Sequence, residues 1–227
     1  MKKFFKNLII CIFIIILCAA AVFFIGWTQL RIKPDSIGVL SSKTSGINEE
    51  PILPGKFSWN YDFLLPTNTK LYVFPLKNWR INKKISGKLP SADIYSTIFS
   101  GKASFDYNFD FDFSVSLSPE NIVELCKNRI ISDEDSLKTY MEELCDSVAK
   151  KLSLKILEQI ETKPLFNPKM LSQEELFSFL DLDTEDDEVI FSSIIINDCT
   201  CPDYTLYTAV RNNFLSNIGK YISLEKE

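Results

Sequence analysis

The chain contains no histidine among its 227 residues. This absence excludes serine and cysteine hydrolases that depend on a histidine base, and it excludes every zinc site that needs an imidazole ligand. The seven glycines are scattered along the sequence, so no glycine-rich loop is present to hold a phosphate group. Most enzyme classes with recognisable motifs are therefore excluded, and we predict no catalytic, cofactor-binding or metal-binding residue.

Cysteine is also sparse beyond the N-terminal segment, where only Cys126, Cys145, Cys199 and Cys201 occur. No two of them are spaced as C-x-x-C, which argues against a four-cysteine zinc site. Side chains two residues apart on a strand lie about 7 Å from each other, which is too far for an unstrained disulfide between Cys199 and Cys201. Cys126 and Cys145 could join two helices in an oxidising compartment or remain small buried thiols, and the sequence leaves their redox state open.

Basic residues are too few for a nucleic-acid-binding surface. The formal net charge is −5, and three of the lysines lie within the first six residues. An acidic surface repels both nucleic-acid phosphates and anionic lipid headgroups. We therefore expect no nucleic-acid partner.

A long apolar run near the N-terminus is the clearest feature that is present. Residues from Leu8 to Trp27 include no charge and no proline, and about 20 helical residues span the roughly 30 Å core of a bilayer. The early lysines favour a cytoplasmic N-terminus and an extracytoplasmic remainder. The alternative is a signal peptide that is cleaved among the small residues 18–21. However, the apolar region of a signal peptide is usually about 7–15 residues long, and the apolar run here is longer. We predict a cytoplasmic tail over residues 1–7 and a single transmembrane anchor over residues 8–27.

The segment after the anchor is predicted to be rich in β structure. Pro54-Gly55 indicates a turn, and aromatic side chains alternate with other residues over Phe57–Phe63, as in a half-buried strand. Leu71–Pro75 is a second short strand. Lys77–Lys102 contains several lysines and weak periodicity, so we predict a long loop with a helical turn near Ala92–Phe99.

The stretch FDYNFDFDFSVSL has the most regular pattern in the chain. Seven apolar side chains at alternate positions from Phe105 to Leu117 predict a strand with one buried face. Asp106, Asp110 and Asp112 fall on the opposite, exposed face. These carboxylates are a candidate calcium site, but carboxylates spread along about 20 Å of strand do not converge on one ion. We therefore interpret them as the solvated side of a strand.

Capping signals and apolar residues spaced by three and four positions predict helices in the second half of the chain. The predicted starts are Ser118-Pro119, with serine as the cap, Ser132–Asp135, Ser172–Glu175, which is a capping box, and Pro202-Asp203. The long helix that follows Ser132–Asp135 is expected to end at Pro164. A buried strand is predicted over Val189–Asn197.

The acidic loop before that strand is a second calcium candidate. Asp181, Asp183 and Glu185 occupy alternate positions, as the ligands of a calcium loop do. Asp186 stands where an EF-hand needs glycine, and Ser192 stands where it needs the bidentate glutamate. We interpret the loop Asp181–Glu188 as solvated.

Four blocks follow the anchor in a characteristic order. They are Ile37-Gly38-Val39, Pro54-Gly55-Lys56-Phe57, Phe111–Ile122 (FDFSVSLSPENI) and Ile194–Arg211 (IIINDCTCPDYTLYTAVR). This order and spacing resemble the SPFH or band 7 family, which includes stomatins, prohibitins and flotillins. The resemblance covers about Leu30 to Arg211. It implies an α+β fold, in which a transmembrane helix precedes a short antiparallel β region and an α/β subdomain.

The resemblance also implies a function and a division of the chain. Band 7 proteins are membrane scaffolds, so we expect a non-enzymatic protein that organises membrane proteins or regulates a membrane protease. We divide the remainder into a β-rich subdomain (30–117), an α/β subdomain (118–201) and a C-terminal helix (202–227). Members of the family continue into a long coiled coil. Few residues follow Pro202 here, so we expect at most weak self-association.

Two alternatives belong to other functional classes. An anchored extracytoplasmic hydrolase could use a serine–lysine pair, because that chemistry needs no histidine. A ligand-binding module could use the aromatic residues around Trp59 and Trp79. Isolated aromatic residues in strands belong more often to a protein core, which favours the scaffold.

Overall fold

The computed structural model describes residues 2–28, 32–65, 67–98, 104–163, 166–180 and 189–224. The helices are α1 (Lys2–Gly26), α2 (Ala92–Ile98), α3 (Pro119–Lys127), α4 (Glu134–Thr162), α5 (Gln173–Ser178) and α6 (Tyr204–Leu224). The strands are β1 (Ser36–Ser42), β2 (Gly46–Ile47), β3 (Thr69–Pro75), β4 (Trp79–Lys88), β5 (Asp106–Leu117) and β6 (Val189–Thr200). The fold is therefore of the mixed α+β class, with an apolar helix at its N-terminus.

The chain forms two compact units. The first contains Met1–Lys77 with Ser116–Tyr140, and the second contains Asn78–Val115 with Met141–Glu227. The first unit thus includes β1, β2, β3 and α3, and the second includes β4, most of β5, and β6. The sequence-based division between residues 117 and 118 stays a prediction.

The first unit contains the three-stranded sheet β2-β1-β3, in which β1 pairs antiparallel with both neighbours. Ile37, Val39 and Leu40 of β1 and Phe74 of β3 are buried and form its core. β3 confirms the strand that was predicted over Leu71–Pro75.

The strand predicted over Phe57–Phe63 is wrong. A 3-10 helix covers Tyr61–Leu64, and the side chain of Asn60 caps it by accepting a hydrogen bond from the Asp62 amide at 2.8 Å. Phe57 and Tyr61 are more than half exposed, so their alternation does not reflect a buried strand face. The segment lies against the end of α1 instead of joining a sheet.

The second unit contains the sheet β4-β5-β6, with β4 and β5 antiparallel. Phe109, Phe111 and Phe113 are almost fully buried, and their rings follow one another at centroid distances of 6.0 and 5.9 Å. The strand predicted over Phe105–Leu117 is confirmed as β5, although it begins one residue later.

The long loop predicted from Lys77 is largely wrong, because β4 occupies Trp79–Lys88. Ile81 is buried and Ile85 is half-buried, whereas the residues between them point outward or reach solvent with long lysine side chains. These lysines obscure the period of two that identifies a strand. The helical turn predicted near Ala92–Phe99 is confirmed as α2, and Phe99 lies outside the described residues.

The predicted helix starts agree with the structure. Ser118 Oγ accepts a hydrogen bond from the Asn121 amide at 3.2 Å and caps α3. The Ser172–Glu175 capping box is formed at the start of α5. Helix α4 ends at Thr162, and Pro164, the expected cause of that end, lies outside the described residues. β6 confirms the last predicted strand and continues to Thr200, but its predicted burial is wrong, because Ile190 and Ile195 are about half exposed and only Ile194 of the predicted range is buried.

Candidate functional site

Helix α1 is long and apolar enough to cross a membrane. Within its segment Phe4–Gly26, the most apolar window of 18 residues has a mean hydropathy of 3.5, and no residue of that window is buried inside the protein. Phe13 and Ile15, near its middle, are about two-thirds exposed. Apolar side chains at this density are unfavourable in water, as is typical of a membrane span or a signal sequence.

The C-terminal end of α1 is capped by a loop of the first unit. The last carbonyl groups of a helix lack partners within the helix. Here the indole Nε1 of Trp59 donates to the carbonyl of Phe23 at 3.1 Å. The Asn60 amide donates to the carbonyl of Gly26 at 2.9 Å. The helix end and the loop therefore form one hydrogen-bonded structure.

Thr28, two residues after the end of α1, is also held in place. Thr28 is fully buried, and both its amide and its hydroxyl donate to the Ser58 carbonyl, at 3.1 and 2.9 Å. Trp27 and Trp59 form an antiparallel backbone bridge. A Cβ atom on Gly26 would overlap the indole of Trp59, so a glycine is needed where the two segments meet.

Five aromatic residues surround this junction, and we call them the aromatic collar: Phe23, Phe24, Trp27, Phe57 and Trp59. Phe23 and Phe57 stack at 6.0 Å with their planes 16° apart, and Trp27 lies 5.6 Å from Phe57. Trp59 is 40% exposed and Phe57 is 57% exposed. Amphipathic rings at the end of an apolar helix are typical of the headgroup region of a membrane. The collar is therefore suited to hold the first unit at a membrane surface.

Sequence reasoning singled out Trp59 for a different role, as part of a ligand-binding module with Trp79. The structure uses Trp59 to cap α1, while Trp79 begins β4 in the second unit. An isolated tryptophan does not reveal its partner in the sequence, and the Phe23 carbonyl lies 36 residues away.

We call the loop 56–60, which carries Phe57 and Trp59, the collar loop. A buried polar cluster lies at its C-terminal end. Asp62 is 2% exposed. Its Oδ1 accepts hydrogen bonds from the hydroxyls of Thr44 and Ser45, both at 3.3 Å, and from the side-chain amide of Asn68 at 3.5 Å. Asn68 also donates to Ser42 Oγ at 3.1 Å. The cluster ties the 3-10 helix to the β1–β2 turn. Sequence reasoning missed it, because an aspartate beside aromatic residues gives no signal of burial.

The carboxylates of β5 are engaged by protein groups. Asn82 Nδ2 donates to Asp110 at 2.5 Å and to Asp112 at 2.8 Å, and Lys84 Nζ lies 3.0 Å from Asp110. The hydrogen bonds from Asn82 and Lys84 hold the pKa of Asp110 below its usual value. The side chain of Asp110 is only 15% exposed, which corrects the expectation of a fully solvated position, whereas Asp106 is exposed as predicted.

No group of three His, Cys, Asp or Glu side chains converges as a metal site in the described part of the chain. The second calcium candidate, Asp181–Glu188, falls outside that part. Ser192, the position that an EF-hand would fill with glutamate, lies in β6, where its carbonyl accepts a hydrogen bond from Gln173 Nε2 at 3.1 Å.

The four cysteines beyond α1 are free thiols. Burial raises the pKa of Cys126 and of Cys145 to about 11, and it raises the pKa of Cys201 to about 12. Cys199 is also buried, and burial raises its pKa. Thiols with raised pKa values are poor nucleophiles at neutral pH. The structure therefore favours the buried-thiol interpretation.

One motif relevant to the hydrolase alternative was missed. Ser147–Lys150 has the S-x-x-K spacing that serine–lysine hydrolases use. Both residues are exposed on α4, and Lys150 Nζ lies 2.6 Å from the carboxylate of Asp146. A lysine that acts as a base lies beside its serine in a site sheltered from water, whereas Lys150 is exposed and paired with Asp146. The spacing here belongs to a solvated helix face.

No family model matches the sequence. A Treponema pallidum (strain Nichols) protein described as uncharacterized is 25% identical over 185 residues, which cover 80% of this chain and 62% of that protein. The chain thus spans about three-fifths of the length of this relative. The band 7 resemblance therefore depends on the sequence blocks described above.

Proposed function

We propose that this chain is a membrane-anchored, non-enzymatic scaffold of the band 7 type. Helix α1 crosses the membrane once as an uncleaved anchor, with its N-terminus in the cytoplasm. The two folded units lie on the extracytoplasmic side, where they organise membrane proteins or regulate a membrane protease.

The capped end of α1 is the observation that carries the uncleaved anchor in this proposal. Cleavage at the small residues would leave Val22–Gly26 as a short apolar turn, still hydrogen-bonded to Trp59 and Asn60. Phe23 and Phe24 are 44% and 59% exposed on this turn, so water would surround them if no membrane did. A retained anchor supplies the apolar surroundings that both the turn and the collar need.

The band 7-like blocks lie at different kinds of places in the structure. Pro54-Gly55 forms the turn that leads into the collar loop, with Gly55 at a φ of +79°. The block Phe111–Ile122 joins β5 to α3, and the block Ile194–Arg211 joins β6 to α6. The fourth block, Ile37-Gly38-Val39, lies within β1. The band 7 part of the proposal therefore rests on the order of the four blocks in the sequence.

The anchor is tested by extracting membranes that contain the full chain with alkaline carbonate. We expect the protein to stay in the membrane fraction and its N-terminal peptide to be recovered intact by mass spectrometry. Leu17→Arg is a suitable control, because a charge near the helix centre opposes insertion by about 2.5–3.5 kcal/mol. Release of the wild-type chain by carbonate, or a mature N-terminus near Ala21, would refute the proposal.

The scaffold function is tested by capturing the full chain from membranes solubilised in a mild detergent. We expect integral membrane proteins, including a protease, to be recovered in defined ratio to the chain. The captured material should show no hydrolase activity that is lost in a Ser147→Ala variant. Such an activity, or recovery of the chain without any membrane protein, would favour the alternatives.

A further inference from the structure

The 3-10 helix of the first unit, Tyr61–Leu64, exposes apolar side chains and buries its one carboxylate. Tyr61 and Leu65, which follows the helix directly, are more than half exposed, and Leu64 is 37% exposed, whereas Asp62 is almost fully buried. We call Tyr61, Leu64 and Leu65 the apolar edge. A surface helix in water shows the opposite arrangement, with its apolar side chains inward and its charges outward. The reversal is typical of a surface that faces an apolar environment.

The period of a 3-10 helix explains this division. Three residues complete one turn, so side chains at positions i and i+3 lie on the same side. Tyr61 and Leu64 are three residues apart and share the outward side. Asp62 lies on another side, where the polar cluster around it donates hydrogen bonds to its carboxylate. Asp62 is also the only charged residue in the segment 57–69, so the outward side of the 3-10 helix carries no charge.

The 3-10 helix lies beside α1, because the collar loop runs antiparallel to the end of that helix. The Thr28 amide donates to the Ser58 carbonyl at 3.1 Å, and the Asn60 amide donates to the Gly26 carbonyl at 2.9 Å. Each residue after Ser58 therefore pairs with a residue further back toward α1. The 3-10 helix follows Asn60 directly and contacts α1. It therefore begins beside the last turn of α1 and does not extend away from the helix end.

We propose that the apolar edge is embedded in the lipid of the extracytoplasmic leaflet, as a second membrane contact beside α1. This inference rests on the anchor of the proposed function, because the depth of the end of α1 sets the depth of the 3-10 helix. Leucine side chains enter the boundary of the hydrocarbon favourably, and a tyrosine ring is favoured at the level of the headgroups. Lipid fits this surface better than a protein partner, since the edge adjoins the end of α1, where Phe24 is itself 59% exposed.

The test places one nitroxide label on the full chain in nanodiscs and compares its collisions with oxygen, which concentrates in lipid, and with a nickel chelate, which stays in water. The labelled sites are Leu65→Cys, Ile15→Cys in α1 and Ile130→Cys, in a Cys11→Ala, Cys18→Ala background. The other four thiols react slowly, because burial raises their pKa values. Ile130 is the matched control, since it lies in the first unit and is 50% exposed, against 51% for Leu65. We expect the ratio of oxygen to nickel collisions to be at least tenfold higher at Leu65 than at Ile130.

The outcomes separate this proposal from the anchor. Equal nickel access at Leu65 and Ile130 would place the apolar edge in water and overturn the proposal, even with Ile15 in lipid. A label at Leu65 that is shielded from both reagents would place the edge against protein, which would also overturn it. Nickel access at Ile15 would refute the anchor, which the reading at Leu65 alone does not do.

A second measurement needs no substitution. Hydroxyl radicals oxidise side chains that water reaches, and leucine and isoleucine react at similar rates. In the unlabelled wild type in nanodiscs, we expect Leu65 to be oxidised at least fivefold less than Ile130, as measured by mass spectrometry. Equal oxidation of the two residues would overturn the proposal.

Discussion

Asp62 is a buried carboxylate that accepts hydrogen bonds only from neutral side chains in the described part of the protein. Replacement by alanine would leave the hydroxyls of Thr44 and Ser45 without this acceptor. We expect Asp62→Ala to lower the free energy of unfolding by about 1–3 kcal/mol, as measured by urea denaturation in detergent.

Asp93→Ala is the matched control for this prediction. Asp93 is an exposed aspartate whose partner is Lys88, 2.8 Å away. A surface ion pair contributes little, so we expect no measurable loss of stability. Equal effects of the two substitutions would show that the Asp62 cluster does not stabilise the collar loop.

Asp110 leads to a prediction about pH. Hydrogen bonds from Asn82 and Lys84 lower its pKa in the folded protein. A lowered pKa adds stability above the unfolded value of about 4, and this stability is lost as the pH falls through the folded value. The melting temperature of the wild type should therefore exceed that of Asp110→Asn most at pH 6–7, and the gap should shrink below about pH 4. A gap that does not change between pH 7 and pH 3 would contradict this assignment.

At the scale of elements, the junction between α1 and the collar loop can be loosened selectively. Trp59→Phe keeps an aromatic ring but removes the donor to the Phe23 carbonyl. We expect faster hydrogen exchange at the last turn of α1 and at the Asn60 amide, measured by mass spectrometry on the full chain in nanodiscs. Phe57→Leu removes a ring but no donor, so it should leave the exchange of the Asn60 amide unchanged. Equal exchange in all three proteins would mean that the Trp59 hydrogen bond does not hold the junction.

Those elements that carry their own local signals were predictable from the sequence. Ser118 and the Ser172–Glu175 box define helix starts through hydrogen bonds that span three residues, and β5 shows an uninterrupted period of two. β4 was missed because lysines occur at positions of both faces of the strand and extend to solvent. Its charge pattern therefore resembles that of a loop.

The candidate site was harder to predict for a physical reason. The apolar run of α1 is visible in the sequence, whereas its cap depends on Trp59 and Asn60, more than thirty residues away. The alternating aromatic residues around Trp59 satisfied the pattern for a strand, but no neighbouring strand pairs with them as a ladder in the described structure. Long-range partners of this kind are determined by packing and not by local spacing.

At the scale of the whole molecule, the edges of the second sheet matter for the expected self-association. Gln173 Nε2 donates a hydrogen bond to the carbonyl of Ser192 in β6, and Lys169 Nζ lies 2.9 Å from Oδ1 of Asp198 in the same strand. The opposite edge strand, β4, carries three lysines. Charged and covered edges oppose pairing between sheets of separate molecules.

We therefore expect the full chain in detergent to be a monomer or a weak dimer when measured by light scattering at micromolar concentration. Gln173→Ala, which frees the Ser192 carbonyl, should increase the dimer fraction, whereas Glu174→Ala on the same helix should not. A stable ring of many wild-type subunits would show that other surfaces of the protein drive assembly.

With α1 crossing the membrane as proposed, its capped end has a consequence for how the protein fits bilayers of different thickness. A free helix end can unwind or shift to match the hydrocarbon core, but the end held by Trp59 and Asn60 cannot do so without losing its hydrogen bonds. A difference between the helix length and the hydrocarbon thickness must then be accommodated by tilting of α1 and by changes at its N-terminal end. There, Lys6 can extend its side chain toward the headgroups. The first unit would thus keep a constant height above its own leaflet. A change in bilayer thickness would instead alter the position of the N-terminal end of α1 in the opposite leaflet.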